Sequence, residues 1–315
     1  MSNNTTNNCT DTTDHIDVIP VCIYSFIFLV GLIFNLIALV IFFRHSKSKS
    51  PTVVYMTNLA IADVLLILTL PVRIYYHVTL AKLPPELCDV VGLVLKANMY
   101  GSIFLLTCIS LDRCMAINFP ITTCVQDARK KAPLFCVGIW TFTFGASVLI
   151  YLSKRQDVAN NGLNQHCFDN LPVYAITPGV VFTTLAVGFG IPFLTMLICS
   201  CGLVHAVRQS IVAKINFVDS RKIQKMITAS LLIFLLSFLP YHVTLTFLSL
   251  SKKPPCVLLD AYSYSLMVAC FNTVLDPIAY YFTTDTFRKN LDFSENIPLN
   301  SYGPDQKNNN RIIYK

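Results

Sequence analysis

Charge is scarce in this chain, and the scarcity excludes a soluble fold. Only 13% of its 315 residues are Asp, Glu, Lys or Arg, against roughly 25% in ordinary soluble domains. Apolar residues make up 54%, and mean hydropathy is +0.58. No internal repeat is visible, which argues against a transporter assembled from inverted halves. No Lys or Arg precedes Pro20, so the leading segment lacks the basic n-region of a cleavable signal peptide. No cysteine–histidine spacing suits zinc. The basic residues are dispersed among connectors rather than gathered on one surface, so nucleic acid is not an expected partner.

What the chain does contain is seven long apolar stretches, at about 19–43, 52–76, 88–119, 132–151, 174–208, 225–250 and 257–283. Each is long enough to span a bilayer as a helix, which takes about 20 residues. The expected fold is an all-α membrane protein, a seven-transmembrane helix bundle. Residues 1–18 are expected to form a glycosylated extracellular tail, 19–283 the seven-span bundle, 284–291 a short amphipathic eighth helix, and 292–315 a polar, disordered cytoplasmic tail. Asn3, Asn4 and Asn8 are N-x-Thr acceptors, which make sense only outside the cell. Arg44, Lys47 and Lys49, then Arg129, Lys130 and Lys131, then Arg208, Lys214, Arg221, Lys222 and Lys225 place the basic connectors inside. The net charge of +7 is mostly this inner face, set against anionic membrane lipid and a protein partner.

The cysteines divide by side. Cys88 opens the third stretch on the outer face and Cys167 lies in the long second outer connector, so an exterior disulfide between them is expected. Cys9 and Cys256 are the other outer cysteines and a candidate second bridge. Several polar residues sit where a bilayer should not tolerate them. Asp63, Asn98, Ser102, Asn272 and Asp276 are expected to cluster. Asn98 with Ser102, and Asn272 with Asp276, share helix faces at four-residue spacing. Two buried carboxylates demand a cation or a proton. Pro192, Pro240 and Pro277 each free a carbonyl and bend a spanning helix. They are either tolerated kinks or hinges; three on consecutive spans favour hinges.

These residues, taken in order, resemble the rhodopsin-like G-protein-coupled receptors over nearly the whole chain. The landmarks are Gly31 to Asn35, Asn58-Leu59-Ala60-Ile61-Ala62-Asp63, Asp112-Arg113-Cys114, Trp140, Pro192, Phe234 with Phe238-Leu239-Pro240-Tyr241, and Asp276-Pro277-Ile278-Ala279-Tyr280. The resemblance implies a receptor and not an enzyme. Its G-protein switch would use Asp112, Arg113 and Tyr280. Its activation hinge would use Phe234, Phe238, Pro192, Pro240 and Pro277. An allosteric sodium ion would sit among Asp63, Asn98, Ser102, Asn272 and Asp276, and a heterotrimeric G protein would be the inner partner. Two departures stand out: Cys114 and Ser200 occupy positions where the family usually has tyrosine.

On the outer half, Arg73, Tyr76, Lys96, Tyr100, Tyr241 and His242 are the expected ligand-binding set, with Tyr75 a further donor. Arginine grips phosphate through a planar fork and lysine supplies a point charge, so the ligand is expected to be a small anion. The plain alternative is snorkelling of Arg73 and Lys96 toward headgroups. Leu95 stands where an amine receptor would carry Asp, and the seventh stretch has no Lys for a retinal Schiff base. Leu70 to Tyr76, Lys96 to Ile103, Phe238 to His242 and Leu275-Asp276-Pro277 resemble the purinergic-like and lysophospholipid branch. Nucleotide receptors of that branch usually have a basic residue where this chain has Leu245. Val243, Thr244 and Phe247 surround it, a largely apolar wall better suited to an acyl chain. An anionic lysophospholipid is therefore the expected ligand. A nucleotide receptor, a decoy or constitutively active receptor, and an ion channel or transporter using Asp63 and Asp276 are the alternatives.

Overall fold

A computed structural model of the chain describes residues 18–44, 50–79, 83–119, 122–161, 177–213, 217–251 and 254–283. The acceptors Asn3, Asn4 and Asn8, the cysteines Cys9 and Cys167, the expected eighth helix at 284–291 and the tail lie outside them. Among the described residues seven helices are long and apolar enough to cross a membrane: Val18–Arg44, Pro51–Thr79, Pro85–Asn118, Ala132–Leu149, Pro178–Ala206, Gln224–Leu250 and Cys256–Ala279. They are called here spans one to seven. The connectors between successive spans, 80–84 and 251–255 among them, are short, so successive spans are antiparallel neighbours. Val18, Thr79, Pro85, Leu250 and Cys256 therefore share one end, the mouth. Arg44, Pro51, Asn118 and Ala132 share the other, the base.

Span three is the axis of the bundle, packing against spans two, four, five, six and seven. Its small and apolar residues Ala97, Gly101, Leu105, Leu106 and Ile109 are consequently buried or nearly so. Span one shows a hydrophobic surface all round; Leu29, Ile33 and Phe43 are exposed by more than half, the condition of a helix face turned to lipid.

Three spans are broken by proline, each in a different way. Span two stops at Ile67 and restarts at Leu70. Pro71 has no N–H for the Ile67 carbonyl, and the chain tightens here: the Thr69 N–H turns to Leu66 O at 2.9 Å. Span five carries a π-helical turn over Thr184–Gly190, just before Pro192. The Ile191 N–H reaches back to Ala186 O, five residues away. Glycine makes this widened turn possible: a Cβ on Gly190 would lie 3.0 Å from Leu185 O, and one on Gly188 would lie 2.7 Å from a Tyr100 ring carbon. Span seven breaks at Phe271, between Cys256–Cys270 and Asn272–Thr283. There Pro277 leaves the Thr273 carbonyl without its helical donor, and Asn35 of span one supplies one: its Nδ2 donates to Thr273 O at 2.7 Å and to Gly31 O at 3.0 Å. Pro240, by contrast, lies within one continuous helix, Phe217–Leu250.

Candidate functional site

Polar groups gather at three depths. Nearest the mouth, Lys96 turns into the bundle rather than toward headgroups. Its ammonium donates to the Tyr241 hydroxyl, lies 4.0 Å from the Tyr241 ring centroid and 5.8 Å from that of Tyr262. Aromatic faces stabilise a desolvated cation by about 2 kcal/mol. Lys96 has no carboxylate partner among the described residues. Arg73, 5% exposed, stands over the Tyr24 ring at 5.9 Å and within electrostatic reach of Lys96. Tyr76 packs edge-on against His77, and His77 stacks on Tyr24. The expected ligand set thus forms two adjoining groups. Arg73 and Tyr76 stand beside spans one and two; Lys96, Tyr100, Tyr241 and His242 lie between spans three, six and seven.

Three sequence expectations need correction here. Tyr75 is 52% exposed and faces away from the bundle. Val243 and Phe247, expected as pocket wall, are 41% and 57% exposed. The helical period explains this: Tyr241, His242, Leu245 and Leu248 form the buried stripe of span six, which leaves Val243 and Phe247 on the opposite side. The apolar wall is instead Leu245 and Leu248 with Phe189 of span five. The reading also missed Tyr262, whose ring lies 5.7 Å from that of Tyr241. Its signal was a lone aromatic hydroxyl on the inward stripe of span seven.

Beside Tyr241, His242 is 1% exposed. Its Nδ1 bonds to the Phe238 carbonyl oxygen at 2.7 Å, and its ring meets Phe189 at 4.7 Å and Tyr100 at 6.2 Å. Below it, Phe189 stacks on Phe234 at 5.1 Å, and Phe234 meets Phe238 edge-on at 5.8 Å. Phe234 and Phe238 are fully buried; Phe234 also stacks at 6.4 Å on Phe193, which follows Pro192, and Phe238 lies two residues before Pro240. A continuous column of rings therefore joins the level of Lys96 and Tyr241 to the proline-bearing parts of spans five and six.

At mid-depth Asp63, Asn98, Ser102, Asn272 and Asp276 are all buried. Asn98 Nδ2 donates to Asp63 Oδ1 at 3.3 Å. Asp63 Oδ2, Ser102 Oγ, the Asn272 amide and both Asp276 carboxylate oxygens have no hydrogen-bond partner. Orphaned buried carboxylate oxygens are costly, and a set of hard oxygen donors fits a hard cation such as sodium.

At the base, Asp112 is 2% exposed and is held from two sides. Thr52 Oγ1 donates to Asp112 Oδ2 at 2.5 Å, and Arg129 Nε donates to Asp112 Oδ1 at 2.7 Å. Arg129 belongs to a short helix, Thr123–Lys130, between spans three and four. Neither partner was expected from sequence, because spacing does not disclose which basic residue of a connector turns inward. The Arg113 Nε has no hydrogen-bond partner. Tyr280 lies on the described helix Asn272–Thr283, but its side chain is outside the described residues. Cys88 and Cys256 are disulfide-bonded, whereas the eight other described cysteines are free; Cys9 and Cys167, the expected partners, lie outside the described residues. Trp140 Nε1 donates to Asn58 Oδ1 at 2.9 Å and ties span four to span two.

Several known receptors are similar in sequence to this chain. Lysophosphatidic acid receptor 6 of Gallus gallus is 34% identical over 292 residues, covering 89% of this chain and 94% of that receptor. Lysophosphatidic acid receptor 4 of Homo sapiens is 29% identical over 290 residues, 89% of this chain and 78% of that receptor. Cysteinyl leukotriene receptor 1 of Mus musculus is 33% identical over 317 residues, 96% of this chain and 89% of that receptor. The family described as "7 transmembrane receptor (rhodopsin family)" matches residues 34–280, which run from span one to the end of span seven, and the chain belongs to that family.

Proposed function

We propose that this chain is a plasma-membrane receptor whose mouth faces the cell exterior, binds an anionic lysophospholipid, and activates a heterotrimeric G protein at its base. One observation carries the ligand class: Lys96 is folded into an aromatic cage with no described carboxylate partner, within electrostatic reach of the nearly buried Arg73. Such a cationic cage favours an anion, and two of the relatives are named for a lysophosphatidic acid. Leu245, at the position where nucleotide receptors of the branch are usually basic, is buried and favours an acyl chain over a polyphosphate.

Transmission follows from the ring column. An anion drawing on Lys96 competes with the Tyr241 hydroxyl, and Tyr241 adjoins His242. Movement there passes through Phe189 and Phe234 to span six, where Pro240 has removed a helical hydrogen bond. The ligand acts only through its different affinities for the two states of the bundle. A sodium ion held by Asp63, Ser102 and Asp276, with Asn98 and Asn272 alongside, would neutralise the two carboxylates. These residues would favour the state in which they lie together. At the base, Asp112 holds the Arg129 helix and leaves Arg113 available for exchange of partners.

The test is G-protein nucleotide exchange in cells expressing the chain, challenged separately with lysophospholipids and nucleotides. Activation by a lysophospholipid that is lost in Arg73→Ala and Lys96→Ala supports the proposal. Activation by a nucleotide alone replaces it with the purinergic reading. High exchange without any addition, unaltered by either class, replaces it with a constitutively active receptor.

A further inference from the structure

We infer that His242 acts as a hydrogen-bond acceptor in the ligand pocket, selecting anions that carry a free hydroxyl next to the phosphate, as single-chain glycerophospholipids do. The assignment rests on the anionic-lipid reading above and adds a requirement that reading does not contain. A pocket built around Arg73 and Lys96 offers donors. His242 offers the opposite.

The tautomer follows from the backbone. Nδ1 lies 2.7 Å from the Phe238 carbonyl oxygen, and a carbonyl can only accept, so Nδ1 carries the proton. Protonating Nε2 as well would place a second cation beside the Lys96 ammonium, since both side chains meet Tyr241. The ring is therefore neutral, and Nε2 presents a lone pair. That atom is buried and has no hydrogen-bond partner. An unanswered buried acceptor loses stability until a donor reaches it. The Nδ1 contact prevents the ring from turning over to use its other nitrogen.

Proximity selects the donor. Lys96 and His242 both pack against Tyr241, so the imidazole lies beside the ammonium, separated from it by one side chain. A hydroxyl on the carbon next to the phosphate-bearing carbon of glycerol spans that interval when the phosphate lies at Lys96. The adjoining Phe189, Leu245 and Leu248 are apolar and provide no competing donor.

The experiment uses the full-length receptor and two probes. One is 1-oleoyl lysophosphatidic acid; the other is its 2-fluoro analogue, in which fluorine replaces the hydroxyl at similar size but cannot donate. Potency ratios are compared within each variant, so differences in expression do not enter. On the wild type the fluoro analogue is expected to be about tenfold weaker. On His242→Phe, which keeps a ring and removes the lone pair, the ratio falls to near one. On His242→Gln, whose Oε1 restores an acceptor, much of the discrimination returns. If His242→Phe does not reach the surface, His242→Leu is compared in its place. Equal potency of the two probes on the wild type overturns the inference while leaving the lipid reading intact, and so does discrimination that persists without the imidazole. Silence of surface-expressed wild type toward both probes overturns the lipid reading, and this assignment falls with it.

Discussion

In the proposed function, Arg73 and Lys96 are the residues on which ligand recognition turns. Removing the Arg73 guanidinium should weaken a phosphate-bearing agonist by roughly 1.5–3 kcal/mol, at least tenfold in potency. Arg73→Lys should recover part of this, because charge survives but the fork does not. Dose–response curves at matched surface expression decide it; a potent agonist indifferent to both Arg73 and Lys96 sinks the anionic reading. A second residue-scale expectation concerns Gly188. A methyl there would lie 2.7 Å from the Tyr100 ring, and overpacking of this kind costs about 1–3 kcal/mol. Gly188→Ala should lower the melting temperature of purified receptor, and Tyr100→Leu should relieve the effect in the double mutant. No change in the single mutant would show that Tyr100 moves aside freely.

Spans two, five, six and seven are modified by the same chemistry, a missing proline N–H, and their neighbours respond differently. In span seven the response is Asn35, which donates to Thr273 O at 2.7 Å. Asn35→Leu should strand that carbonyl and destabilise the bundle by about 1–3 kcal/mol. Pro277→Ala restores the helical donor, so Asn35→Leu should cost less in that background. Simple additivity in thermal unfolding would mean that the carbonyl finds another partner. The short helix Thr123–Lys130 is pinned by Arg129 on Asp112. Arg129→Ala should free Asp112 and raise ligand-independent nucleotide exchange; an unchanged basal rate at equal surface level would remove the pin from the mechanism.

At the scale of the whole molecule, the polar cluster joins spans two, three and seven. The sodium reading predicts that sodium stabilises the ligand-free state and weakens agonist binding. Asp63→Asn removes one of the two carboxylates, and both effects should then vanish. Persistence of sodium sensitivity in the mutant would place the ion elsewhere. Cys88, disulfide-bonded at the mouth, should matter to the whole bundle too. Cys88→Ser is expected to lose about 2–5 kcal/mol and with it surface expression, checked by antibody labelling of intact cells.

The seven spans were legible in the amino-acid sequence because bilayer thickness and backbone hydrogen bonding leave a chain this apolar little choice of form. The buried carboxylates and the prolines inside spans were legible for a related reason: each breaks a rule that the surrounding sequence obeys. Helical period alone would have turned Val243 and Phe247 outward had it been applied to span six residue by residue. What sequence could not decide is which side chains meet across helices. Arg129 rather than another base reaches Asp112, Tyr262 closes the cage around Lys96, and Asn35 answers the carbonyl freed by Pro277, 242 positions further along the chain. The lone pair on His242 is likewise a tertiary fact, since it depends on where Phe238 O lies relative to one ring nitrogen. Length and hydropathy are properties of single segments. Partnership depends on the rotation and depth of each helix against its neighbours, and only the packed bundle sets those.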